Sequence, residues 1–96
     1  AQFKALHAYS PYHHVRDGVK YPSVLFLTGA NDPRVDPMQS RKMTARLQAA
    51  GADALLRTSS TSGHGGGTAL SERIEQKVDV VSWIFDRIGL TYQPVR

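Results

Sequence analysis

The sequence has no cysteine. That excludes a disulfide scaffold, a thiolate nucleophile and any cysteine-ligated zinc or iron–sulfur centre. It has no long hydrophobic run either: the longest, Val24 to Leu27, falls far short of the roughly 20 apolar residues that cross a bilayer. Lys4 and His7 interrupt the N-terminal stretch, so it shows no signal-peptide core, and no membrane partner is expected. Basic runs alternating with aromatics are also missing. The 12 Lys and Arg residues are scattered among 8 acids, as in Arg73, Glu75, Lys77 and Asp79, and no RRM or KH signature occurs. Such interleaving is the pattern of a solvated helix face with i,i+4 pairs, so the formal charge of +4 does not point to nucleic acid. Position 1 is Ala rather than Met, and the expectation is a piece of a larger protein.

What is present is an ordinary globular mixture of 96 residues, 41% apolar and 21% charged, which argues against disorder. A chain of this size buries only about 60–65% of its unfolded surface, so its stability margin is thin. Residues 1–9 can form a short helix that ends at Ser10-Pro11, since a residue before proline is pushed out of the helical region. A polar loop follows to Pro22. Residues 23–28 are continuous and β-prone rather than alternating, which suits a strand buried on both faces of a parallel sheet. Asp36-Pro37 starts a helix, with Asp as N-cap and Pro at the first helical position. Met43 and Leu47 share one face of it, and Gly51 caps it near residue 50. A second strand is expected over 54–59. A last helix, capped by Thr68, carries an apolar stripe of Leu70, Ile74, Val78, Val81, Phe85 and Ile88 and ends at Gly89. Trp83, Ile84 and Phe85 read as core and helix-packing residues. The order strand–helix–strand–helix is a βαβα unit with a right-handed crossover, an α/β fold of parallel strands with flanking helices.

In open α/β sheets, ligands and catalytic groups sit just past the carboxyl ends of the strands. Two loops meet that condition. The first holds Asn31-Asp32-Pro33-Arg34-Val35 and the second Ser62-Gly63-His64-Gly65-Gly66-Gly67. Adjacent strands lie about 4.8 Å apart, so Asp32 and His64 can come within hydrogen-bond reach. A carboxylate followed in the chain by a histidine is the back half of the Ser…Asp…His order of α/β-hydrolases. Taken singly, Asp32 is also what an Asx turn needs and His64 is also what a solvated glycine loop carries. Arg34 offers a guanidinium fork for a substrate carbonyl or carboxylate, or a surface pair with Asp36. A phosphate cradle in the glycine loop lacks the Lys-Ser/Thr of a P-loop. His13 and His14 have no third ligand of suitable spacing and read as loop residues. No metal or other cofactor is implied.

The segments Tyr9-Ser10-Pro11-Tyr12-His13, Tyr21-Pro22, Leu25-Phe26-Leu27-Thr28-Gly29, Asn31-Asp32-Pro33-Arg34-Val35 and Ser62-Gly63-His64-Gly65 occur in that order along nearly the whole chain. Together they resemble the C-terminal end of the prolyl oligopeptidase family of serine peptidases. The resemblance implies the C-terminal βαβα portion of an α/β-hydrolase fold, in a protein whose propeller domain covers the active site. It implies Asp32 as the triad aspartate and His64 as the triad histidine. It also implies that Arg34 binds the substrate backbone and that Val35 lines the proline pocket. The substrate of the full-length enzyme would be a short peptide, cleaved after proline or, as in close relatives sharing these motifs, after a basic residue. The chain departs from the family at His14, where Asn is usual. No G-x-S-x-G occurs, so residues 1–96 are expected to be a fragment of the catalytic domain without serine elbow, oxyanion hole or propeller, inactive alone. The alternative is a stand-alone, non-enzymatic α/β module that associates through its open sheet edge, as a homo-oligomer. The absence of cysteine fits a cytoplasmic or a periplasmic location equally.

Overall fold

A computed structural model describes residues 1–63, 69–91 and 93–95. The elements run α1 (Gln2–Tyr9), a 3₁₀ turn (Tyr12–His14), β1 (Val24–Gly29), α2 (Met38–Ala49), β2 (Ala54–Ser59) and α3 (Leu70–Ile88). The two strands pair in parallel, from Val24 opposite Ala54 to Gly29 opposite Ser59, with α2 as the crossover. The strands and the crossover helix lie where the sequence pattern puts them, within two residues at each end.

Local chemistry explains the ends of α2. Asp36 Oδ1 accepts the Met38 N–H at 2.9 Å, which satisfies one of the donors orphaned at a helix start. At the other end Gly51 takes φ +88°, Gly51 N–H bonds the Gln48 carbonyl and Ala52 N–H bonds the Leu47 carbonyl, a Schellman cap. Leu90 N–H to the Phe85 carbonyl, with Gly89 at φ +76°, repeats the device after α3. The Thr68 cap lies outside the described residues.

The core is small: Val15, Leu47, Ala50 and Ala54, with Tyr21, Phe26, Met43 and Ala52 packed against it. It fills the space between α2, the sheet and the segment before β1. Arg46 ties that segment down, donating to the Val15 carbonyl at 2.7 Å and pairing with Asp17 at 3.0 Å.

The last helix departs from expectation. Its apolar stripe is not core within this chain: Leu70, Ile74, Val78, Val81 and Ile88 are all exposed, and so is Ile84. Phe85 alone of the stripe is half-buried, and the other half-buried residues, Glu72, Gln76, Val80, Trp83 and Arg87, lie on the opposite side of the helix. Two ion pairs anchor that side to β2 and to the residue before it. Arg57 Nε meets Asp79 at 2.7 Å, so Asp79 pairs across to the strand. Arg87 grips Asp53 with Nε at 2.5 Å and Nη2 at 3.0 Å, while Ser23 Oγ donates to the same carboxylate at 2.7 Å. The Arg87 guanidinium also lies over the Trp83 ring at 5.5 Å.

The hydrogen bonds from Arg87 and then from Ser23 hold the Asp53 carboxyl below its ordinary value of 3.8. A carboxylate depressed on folding contributes stability above its unfolded pKa and loses it as pH falls through the folded value. Acid titration below pH about 4 should therefore loosen α3, and Asp53→Asn should abolish that acid-dependent step. Hydrogen-exchange protection of the α3 amides against pH reads the effect; an unchanged acid limb in the Asn variant would count against the anchor.

Candidate functional site

The carboxyl ends of β1 and β2 are stitched together by short polar residues. Ala30 N–H bonds the Ser59 carbonyl at 2.8 Å and Asn31 N–H bonds the Ser62 carbonyl at 3.2 Å. The Asn31 side chain donates to the Ser60 carbonyl at 3.1 Å, and Ser62 N–H donates to Ser59 Oγ at 3.2 Å. Ser59 and Ser62 are buried, and their hydrogen bonds make that affordable.

Gly29 makes this approach possible. A Cβ there would collide with the Ser62 carbonyl and would stand 2.5 Å from the Gly63 carbonyl oxygen. Both neighbours are backbone, so neither can turn aside. On the other side of the seam, a Cβ at Gly63 would lie 3.4 Å from the Asn31 carbonyl oxygen and 3.9 Å from Pro33 Cδ. The chain just before His64 therefore rests against the two residues that flank Asp32.

Asp32 is half-buried on this loop. Its Oδ1 accepts the N–H groups of Arg34 at 2.9 Å and Val35 at 3.0 Å. The first is the Asx turn that the sequence allows, and it fixes the plane of the carboxylate. Arg34 and Val35 are exposed on the same loop. Asp36 caps α2, and no ion pair joins it to Arg34 among the described residues. His64 and the glycines Gly65, Gly66 and Gly67 lie outside the described residues, so neither the Asp32–His64 juxtaposition nor the phosphate cradle is described.

Two features escaped the sequence. The stitching by Ser59, Asn31 and Ser62 uses residues that read only as generic turn formers; the one signal was a glycine closing a strand. The second is a ring cluster before β1. His7 lies 4.8 Å from His13 and 5.5 Å from His14 between ring centroids. Ser10 braces the turn, with its Oγ 2.7 Å from His13 Nδ1 and its carbonyl accepting from His14 Nδ1 at 2.7 Å. Among the described residues no group of three or more His, Cys, Asp or Glu side chains is placed to hold a metal ion. Nor is any of their helices long and apolar enough to cross a membrane.

Comparison with known proteins bears on the site. The sequence profile of the prolyl oligopeptidase family matches residues 1–91. A prolyl endopeptidase of Elizabethkingia miricola is 35% identical over 91 residues, covering 92% of this chain and 13% of its own. Protease 2 of Moraxella lacunata is 31% identical over 86 residues, covering 86% of this chain and 12% of its own. Among solved structures, one from a study of two prolyl endopeptidases superposes with a TM-score of 0.84 at 46% identity, over 93% of this chain and 14% of that one. Esterase 2 of Thermogutta terrifontis superposes at 0.70 over 92% of this chain and 34% of its own, and at 23% identity it speaks for the fold alone. The architecture is that of a segment of the α/β-hydrolase fold. The chain spans about an eighth of the curated relatives' length.

Two substitutions test the seam. Gly29→Ala should lower stability by about 1–3 kcal/mol through overpacking against backbone, read by chemical denaturation. Asp32→Ala should cost about 1 kcal/mol and selectively speed exchange of the Arg34 and Val35 amides, which Asp32→Asn should largely protect.

Proposed function

Because the chain belongs to the prolyl oligopeptidase family of serine peptidases, we propose that it is the C-terminal part of such a peptidase's catalytic domain and supplies Asp32 and His64 to a Ser-Asp-His triad for peptide-bond hydrolysis. The observation that carries this is the seam. It sets the residue before His64 against Asn31 and Pro33, on either side of Asp32.

The chemistry follows from the parts. A serine hydroxyl attacks the peptide carbonyl while His64 takes its proton, and His64 then returns the proton to the leaving amine. Asp32 holds the imidazole in the tautomer whose other nitrogen faces the serine, and stabilises the imidazolium once formed. For that task a carboxylate must not swing. The two backbone N–H groups on Oδ1 supply the restraint. Arg34, presented on the same loop, binds the substrate backbone with its guanidinium fork, and Val35 forms part of the wall for the residue before the scissile bond. The relatives named prolyl endopeptidase favour a post-proline substrate. With no G-x-S-x-G serine in the 96 residues, the chain alone has nothing to acylate.

Isolated, the chain should neither hydrolyse a proline-containing peptide nor label with a fluorophosphonate. Grafted in place of the matching residues of a prolyl endopeptidase, it should support turnover. There Asp32→Asn should lower kcat by about 10⁴-fold and His64→Ala by about 10⁶-fold, while Arg34→Ala should chiefly raise KM. Steady-state kinetics on a post-proline substrate is the measurement. An Asp32→Asn graft retaining a tenth of the activity would overturn the assignment.

A further inference from the structure

Each residue between β2 and Gly63 is held by a hydrogen bond, and the three are not held from the same side. Ser60 accepts the Asn31 amide with its carbonyl at 3.1 Å. Ser62 accepts the Asn31 N–H with its carbonyl and donates its own N–H to Ser59 Oγ. Both therefore tie back to the ends of the strands. Thr61 reaches elsewhere: its hydroxyl donates to the Glu72 carboxylate, in the first turn of α3. An acid at the third helical position ordinarily reaches back to the N-cap backbone, opposite a Ser or Thr at the N-cap. Here Ala69 stands at the N-cap with no side-chain cap. The Glu72 carboxylate bonds Thr61 instead.

That bond is the first of three polar links along α3, followed by Arg57–Asp79 and Asp53–Arg87. Glu72 and Asp79 are seven residues apart, which puts them within about 20° on the helix surface. No large apolar residue packs at the site end. Ser59, Ser60, Thr61, Ala69, Ser71 and Glu72 are among the polar and small residues lining a cleft of about 460 Å³ there. Among the described residues, the Thr61–Glu72 hydrogen bond is what spans it. Its place in the chain matters as much. Thr61 stands three residues before His64 and Glu72 eight after it, so the bond closes the chain on both sides of that residue. Pinning both flanks reduces the arrangements open to a side chain between them.

Resting on the triad reading above, we propose that Thr61 and Glu72 are a positioning pair whose hydrogen bond sets where the chain presents His64 to Asp32. The bonds to Asn31 and Ser59 set how near residues 60–62 lie to the Asp32 loop. Thr61, held from α3, sets their tilt about that seam. The pair does no chemistry itself and acts through His64. Displacing a catalytic group by about 1 Å costs on the order of 10²-fold in rate, so such a pair matters to turnover without mattering to substrate binding.

The test uses the graft of this chain into a prolyl endopeptidase, with active enzyme counted by exhaustive fluorophosphonate labelling. Per labelled site, Thr61→Val and Glu72→Ala should each lower kcat by about tenfold, while KM on a post-proline peptide moves less than about twofold. Thr61→Ser keeps the hydroxyl and Glu72→Gln keeps an acceptor oxygen, so both should restore most of the rate. The Thr61→Val, Glu72→Ala double variant should be no slower than the slower single one, because the two residues act as a unit. A pair that only braced α3 would lower the labelled fraction and leave kcat per site unchanged, and that result overturns the proposal. Additive losses overturn it too, as does a Thr61→Ser variant as slow as Thr61→Val. A graft that keeps its rate with His64→Ala overturns the triad reading and the pair with it. Loss of activity in His64→Ala beside an unaffected Thr61→Val overturns the pair alone.

Discussion

Everything at the candidate site depends on one steric fact, the absence of a side chain at position 29. β1 must end where the backbone after β2 crosses it, and the Ser62 and Gly63 carbonyls occupy the volume that any Cβ would need. Once glycine permits that approach, the remaining pairings follow at short range. Ser59 accepts from Ala30 through its carbonyl and from Ser62 through its hydroxyl, while Asn31 holds the loop from both its backbone and its amide. Parallel strands alone bring their ends to within about 5 Å. Close backbone contact turns that nearness into a fixed relation between two loops.

A second constraint governs α3, and it is electrostatic. The helix meets its strand through Arg57–Asp79 and Arg87–Asp53, both at partly exposed positions. Such pairs contribute little stability each, because water screens them and the side chains lose freedom. They do fix orientation. Arg87 is the stronger device, since a bidentate grip on Asp53 adds direction to attraction and Ser23 fastens the same carboxylate to the start of β1. Polar contacts therefore set the angle of a helix whose apolar side is exposed.

Much of this was legible beforehand, and the boundary is physical. β2 over 54–59 and β1 within a residue followed from β-prone runs flanked by turn residues. The limits of α2 followed from Asp36, Pro37 and Gly51, whose capping chemistry is local. Asp32 was legible as an Asx turn, which is present, on a loop that the sequence placed at a strand end. Amphipathicity, by contrast, shows that α3 has an apolar face but not what covers it. Of the three residues read as core and helix packing, Trp83 and Phe85 are half-buried and Ile84 is exposed, because the sequence's periodicity carries no information about the partner layer. The His7–His13–His14 cluster was hidden for a related reason. The kink at Ser10-Pro11 folds α1 back on the 3₁₀ turn, and that non-local contact has no signature in residue spacing.

These two constraints divide the labour in a way that bears on function. The restraint on Asp32 is built from residues 32–35 and the Gly29 seam, all within a βαβ unit that has its own small core. Holding the Asp32 carboxylate in one orientation is thus a property this segment has by itself. Under the proposed triad, acylation would further need a nucleophile and an oxyanion hole fixed relative to the imidazole within a fraction of an ångström, and no G-x-S-x-G serine occurs in the sequence. The apolar side of α3 is exposed along its length, whereas the contacts that hold the helix to the sheet are screened ion pairs. What the segment demonstrably fixes is the Asp32 carboxylate, through two backbone N–H groups and a glycine seam that no side chain could share.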